Sequence, residues 1–160
     1  MTPDRPLAPV LVGAYEDATA VFLHAARAVH EDRLDRHAPG EWSARQIIHH
    51  VADAEAQSYV RLRRLVAEPA GATIEAFDEA AWADSAALGY RDEPVASALA
   101  LITAVRARSA AVLRRLSDDD LARYGEHSES GRYTLARWLE VYTSHPREHA
   151  QQLEAAASRD

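Results

Sequence analysis

Leu135, Trp138, Tyr142, His145, His149 and Leu153 follow one another at spacings of three and four residues, and two of these six positions are histidine. That spacing puts all of them on one face of an α-helix. A helix with such a stripe is stable only when other elements cover it. The rest of the chain must therefore supply a helical core with room for two imidazoles.

Three further stripes meet that need. Leu11, Tyr15, Ala18, Phe22, Ala25 and Val29 share a face with Ala14 and Val21, and the pattern fades into the polar stretch 31–40. A second helix starts where Ser43 and Gln46 form a capping box and Trp42 and Ile47 have the spacing of a hydrophobic staple. Its inward positions are Ile47, Val51, Ala54, Ser58, Leu62 and Leu65, closed by Pro69 and Gly71. A third long helix is expected from Asp92, with Pro94 in its first turn and Val95, Leu99, Ile102, Val105, Val112 and Leu116 inward. The residues between Glu68 and Asp92 read as a crossover with a short helix over Ile74–Ala87. Ser117–Asp120 caps a short turn, Gly125–Gly131 reads as a polar loop, and Thr134 caps the last helix. Four such helices bury their stripes by packing together, so the expected fold is all-α: one four-helix-bundle domain over residues 1–160, with a crossover after the second helix.

Composition narrows the chemistry. The chain has no cysteine, so disulfides, thiolate ligands and cysteine nucleophiles are excluded. A net charge of −7 with interspersed Arg, Asp and Glu gives no basic stripe for nucleic acid. The opening Met1–Pro6 is polar, and no later run approaches 18 apolar residues, so the expectation is a cytoplasmic protein without a membrane partner. No Glu-x-x-His, His-Glu-x-x-His, phosphate loop or Gly-x-Ser-x-Gly occurs.

His145 and His149 stack on one side of their helix and are spaced to grip one metal ion. A third ligand must come from another helix, and His50 is the best candidate, three residues after Ile47 and beside Val51 and Ala54. His49 groups with Arg45 and Gln46 and is expected on the solvent side; His24, His30, His37 and His127 read as surface residues. The alternative is three core histidines without a metal, an expensive set of buried polar groups. Three imidazoles with an open fourth position have the form of a catalytic metal centre. Asp53 and Glu55 are the candidate catalytic carboxylates, with Glu148 a weaker one, and each also reads as a solvated surface charge. Tyr59, Trp82, Trp138 and Tyr142 could line an apolar pocket beside the metal or serve only as core.

Trp42-Ser-Ala-Arg-Gln-Ile-Ile-His-His-Val-Ala-Asp-Ala-Glu55 resembles the second-helix signature of the DinB-like superfamily, and Gly131–Gln152, with His-x-x-x-His followed by Gln, resembles its closing helix. Tyr90–Arg123 is similar as well, so the resemblance spans most of the chain. It implies an up-down-down-up bundle, often a homodimer, with His50, His145 and His149 holding one divalent ion, zinc or nickel in most relatives and iron or manganese in some. Relatives include S-transferases and an isomerase that use low-molecular-weight thiols, and many proteins labelled metal-dependent hydrolases. The implied activity is therefore thiol S-transfer or hydrolysis of a small-molecule substrate, with a low-molecular-weight thiol as the possible cosubstrate. A non-enzymatic, metal-binding stress-response bundle is the alternative. Pro146 departs from expectation: lacking an N–H for the Tyr142 carbonyl, it should kink or loosen the helix between the two histidines.

Overall fold

A computed structural model describes residues 7–159, so the polar opening Met1–Pro6 lies outside the described residues. Among the described residues, five α-helices and a three-stranded sheet make up the fold: α1 (Pro9–Ala28), α2 (Ala44–Ala67), β1 (Ala72–Ile74), α3 (Glu79–Asp84), α4 (Val95–Leu113), β2 (Tyr124–His127), β3 (Gly131–Thr134) and α5 (Leu135–Ala157). The four long helices are the expected bundle. The Ser43–Gln46 capping box forms in both directions, and Thr134 Oγ1 accepts from Arg137 N at 3.1 Å.

Paired residues set the helix directions. Tyr15 stacks on Trp138, and Phe22 joins the cluster of Ala150 and Leu153, so α1 and α5 run parallel. Glu55 meets Arg106, and Leu62 and Leu65 share a cluster with Ala110 and Leu113, so α2 and α4 are also parallel. His50 beside His149 and Ser58 beside Trp138 make α2 and α5 antiparallel. The order is up-down-down-up, and the connection between the parallel α2 and α4 must traverse the bundle's length.

Two apolar clusters fill the interior. One gathers Phe22, Ile47, Ile48, Val51, Ile102 and Leu153; the other gathers Tyr15, Leu62, Leu113, Leu135, Trp138 and Leu139. Between them lies a polar layer containing Glu55, Ser58, Arg106 and Ser109, all 1% exposed or less. Trp138 is fully buried and donates its indole N–H to the Ser58 carbonyl at 3.1 Å.

Several local expectations are corrected. Pro94 disfavours helix at Glu93, so α4 starts at Val95 rather than Asp92. Its inward face is Ala98, Ile102, Arg106, Ser109, Ala110 and Leu113, while Val105 and Val112 are only half-buried. With a mean hydropathy of 1.4, α4 is by length and composition apolar enough to cross a bilayer, against the expectation that no such segment exists. In the bundle it packs along α1 and α2 and carries Arg106 into the core. On α1, Leu11 and Val21 are exposed and the buried face shifts to include Val12, Leu23 and Ala26.

The expected Ile74–Ala87 helix is instead β1, the short α3 and a 3-10 turn at Ala86–Leu88. Asp78 accepts from Ala81 N at 2.9 Å, which starts α3 at Glu79. The expected Gly125–Gly131 loop is a hairpin, with Gly131 at φ 73° after its turn, and β1 adds to β2 in parallel. Gly125 permits that pairing, because a Cβ there would lie 2.5 Å from the Ala72 carbonyl oxygen.

Candidate metal centre

His50 projects from α2 and His145 and His149 from α5, and the antiparallel packing of the two helices brings one ligand atom of each within 4.8 Å of the others. His145 Nε2 and His149 Nε2 are 3.0 Å apart, and the His50 ring lies 4.8 Å from that of His149. His149 Nδ1 meets Gln152 Oε1 at 2.9 Å, one turn further along α5. Nδ1 of His50 and Nδ1 of His145 are buried with no partner.

Burial keeps all three rings neutral. It pushes His50 down to about 4, with His149 adding a smaller push, and His145 down to about 2, helped by the other two imidazoles and Arg106. His149 is also lowered by burial, against the opposing pull of Gln152 and Glu148. Neutral imidazole is the form that binds metals. Three converging, uncharged imidazoles, two of them with a buried Nδ1 that has no partner, fit a divalent ion.

A cavity of about 590 Å³ opens beside His50 and His149, lined by Trp42, Ile47, Glu79, Gln152 and Ala156 among others. Trp42 is its aromatic wall, with its ring 4.9 Å from His50. Arg159 closes the rim by donating to Glu41 Oε2 at 2.9 Å.

The carboxylate beside the triad is Glu79, whose Oε2 stands 3.9 Å from His50 Nε2. Partial burial raises its pKa, Arg61 lowers it and Glu129 raises it further. Sequence reasoning missed it because Glu79 lies 29 positions from His50, on a helix whose start depends on the Asp78 cap. Asp53 accepts the Tyr90 hydroxyl at 2.6 Å. Glu55 lies in the polar layer, 2.7 Å from Arg106, where burial pushes its carboxyl up and Arg106 pulls it back. Neither Asp53 nor Glu55 lines the cavity, and Glu148 is exposed.

The four aromatic residues considered for the pocket do not line it either, and Trp138 is fully buried in the core. Tyr59 stacks with Arg63, whose guanidinium carbon is 3.2 Å from the ring centroid, and Trp82 packs on Phe77. Tyr142 lies behind His145 and its hydroxyl accepts from Arg61 at 3.0 Å. His49, expected on the solvent side, is buried, and its Nε2 lies 3.0 Å from the Glu93 carbonyl. The turn before α4 covers this outer face of α2 and also accepts from Arg45. His24, His30 and His37 are exposed, whereas His127 is part of β2 and half-buried.

The solved structure of YfiT from Bacillus subtilis, described as "a probable metal-dependent hydrolase with an unusual four-helix bundle topology", superposes with a TM-score of 0.82 at 26% identity, covering 93% of this chain and 85% of that one. A protein of Oceanobacillus iheyensis named "Putative metal-dependent hydrolase" is 29% identical over 149 residues, 92% of this chain and 84% of the relative. Another of that name from Bacillus mycoides is 29% identical over 145 residues, 90% of this chain and 82% of the relative. The family model of the DinB superfamily matches residues 14–153. With the bundle, the His triad and that match over most of its length, this chain belongs to the DinB superfamily.

Proposed function

We propose that the protein is a metal-dependent hydrolase of small molecules, with His50, His145 and His149 holding one divalent ion, zinc or nickel, and Glu79 moving the proton. The observation that carries this reading is the Glu79 carboxylate facing the triad, 3.9 Å from His50 Nε2. Held by these three imidazoles, a divalent ion would supply Lewis acidity and would lower the pKa of a bound water or thiol. Glu79 takes the proton of the attacking water and, as the carboxylic acid, returns it to the leaving group. Desolvation beside the triad raises the Glu79 carboxyl, a shift that favours its proton-bearing form, and Arg61 opposes it. Trp42, Ile47 and Ala156 hold the apolar body of the substrate, and the Glu41–Arg159 pair bounds it at the rim.

Thiol S-transfer is the second reading, favoured by a cavity of about 590 Å³, with room for more than a reacting carbonyl. A panel of small esters, amides and thiol–electrophile pairs, offered to zinc- and nickel-loaded protein, separates the two. Ester or amide turnover lost on chelation supports hydrolysis; thiol conjugation alone supports transfer. No turnover with either class, at full metal occupancy, leaves the metal-binding bundle without an enzymatic role.

A further inference from the structure

Pro146 lies inside α5, between two of the three histidines, yet the helix runs unbroken from Leu135 to Ala157. A proline there has no N–H for the carbonyl four residues back, which is that of Tyr142. A buried carbonyl without a donor is costly. Arg106 of α4 supplies the donor: its Nη1 lies 3.0 Å from the Tyr142 oxygen.

The same guanidinium is fixed on every side. Its Nη1 also donates to Glu55 Oε1 at 2.7 Å, Nη2 to the Tyr15 carbonyl at 2.9 Å, and Nε to Thr19 Oγ1 at 2.5 Å. The group is 1% exposed and lies over the Tyr15 ring, 3.8 Å from its centroid. Glu55 balances its charge, and the planar fork lets one side chain reach α1, α2 and α5 together.

We infer that Arg106 is a positioning residue for the metal centre: it replaces the hydrogen bond that Pro146 cannot make and so holds the turn of α5 that aims His145 and His149 at His50. Glu55 acts through Arg106. The inference rests on the triad holding a metal, but its effect on α5 is independent of any ion.

The test is a mutant cycle. Glu55→Gln with Arg106→Met removes the fork without leaving a buried charge, and Pro146→Ala restores the N–H to the Tyr142 carbonyl. Nickel and zinc affinity are measured by titration, and amide exchange over 143–150 by mass spectrometry on the metal-free proteins. The expected result is at least tenfold weaker metal binding and faster exchange in E55Q/R106M, with most of both recovered when P146A is added. In the wild-type background P146A should change affinity less than twofold, so a general gain in helix stability cannot explain the recovery. Unchanged affinity and exchange in E55Q/R106M, or no recovery with P146A, overturns the inference. If E55Q/R106M does not fold, R106K takes its place under the same criteria, since lysine keeps the charge but loses the fork. If the wild type binds neither metal, the metal reading fails, while the exchange data still decide whether Arg106 holds the turn.

Discussion

His149 is held from both sides: Gln152 Oε1 is 2.9 Å from its Nδ1, and His145 Nε2 is 3.0 Å from its Nε2. Because an amide oxygen only accepts, Nδ1 must carry the proton, which leaves the Nε2 lone pair facing the triad. Gln152→Ala should weaken metal binding about 10- to 100-fold, the usual cost of losing such a support. Gln152→Glu keeps the acceptor and should retain wild-type affinity or exceed it. Calorimetric titration of both variants checks the pair; equal losses would show that Gln152 matters only for packing.

Metal content should depend on all three histidines. Replacing His50, His145 or His149 with Ala is expected to abolish stoichiometric binding, read by elemental analysis of protein purified without a histidine tag. An Ala variant of the exposed His24 or His37 should keep one ion per chain.

Glu79→Gln removes the proton carrier but leaves the imidazoles in place. Hydrolysis should fall about 10²- to 10⁴-fold, the range typical for a lost general acid–base, with metal content unchanged. Glu55→Gln gives a contrasting signature, since Glu55 contacts Arg106 in the core and should act on stability and metal affinity together. Steady-state rates at full metal occupancy, paired with urea midpoints, separate the two carboxylates.

The metal-free protein should lose stability as the medium is acidified from about pH 6.5. Burial pushes His50 down to about 4 and His145 down to about 2 from the ordinary 6.5, and lowers His149 too. Above pH 6.5 these rings are neutral in both states and have no effect on the pH dependence. Below it the unfolded chain takes up protons that the folded chain refuses, so each lowered ring removes up to about 1.4 kcal/mol per pH unit. Urea unfolding of chelator-treated protein between pH 7.5 and 5 should show the decline, and H50A/H145A should flatten it.

Gly125→Ala should destabilise the sheet. The added methyl would meet the Ala72 carbonyl oxygen at 2.5 Å and Ile74 Cγ1 at 2.7 Å, and backbone must move to admit it. A loss of about 1–3 kcal/mol is expected, as for overpacking elsewhere. Thermal melting gives the number, and an unchanged melting temperature would place β1 differently against β2.

The four long helices, the caps at Ser43 and Thr134 and the shared stripe of His145 and His149 were legible in the sequence, because each depends on spacing within about one helix, whereas the meeting of His50 with that pair is made by the antiparallel packing of α2 and α5. Three- and four-residue periodicity is a local property, and an inward histidine is found by the same count as an inward leucine. What tertiary structure alone decided involves partners far apart in the chain. The sheet needs β1 to meet β2 across 50 residues, and strands of three and four residues are too short to show a period of their own. His49 is buried because the turn before α4 folds over it, and Glu79 reaches His50 only through the crossover. Pro146 reads locally as a helix breaker; the unbroken α5 depends on a donor from Arg106, a residue 40 positions earlier that local counting left off the inward stripe of its own helix.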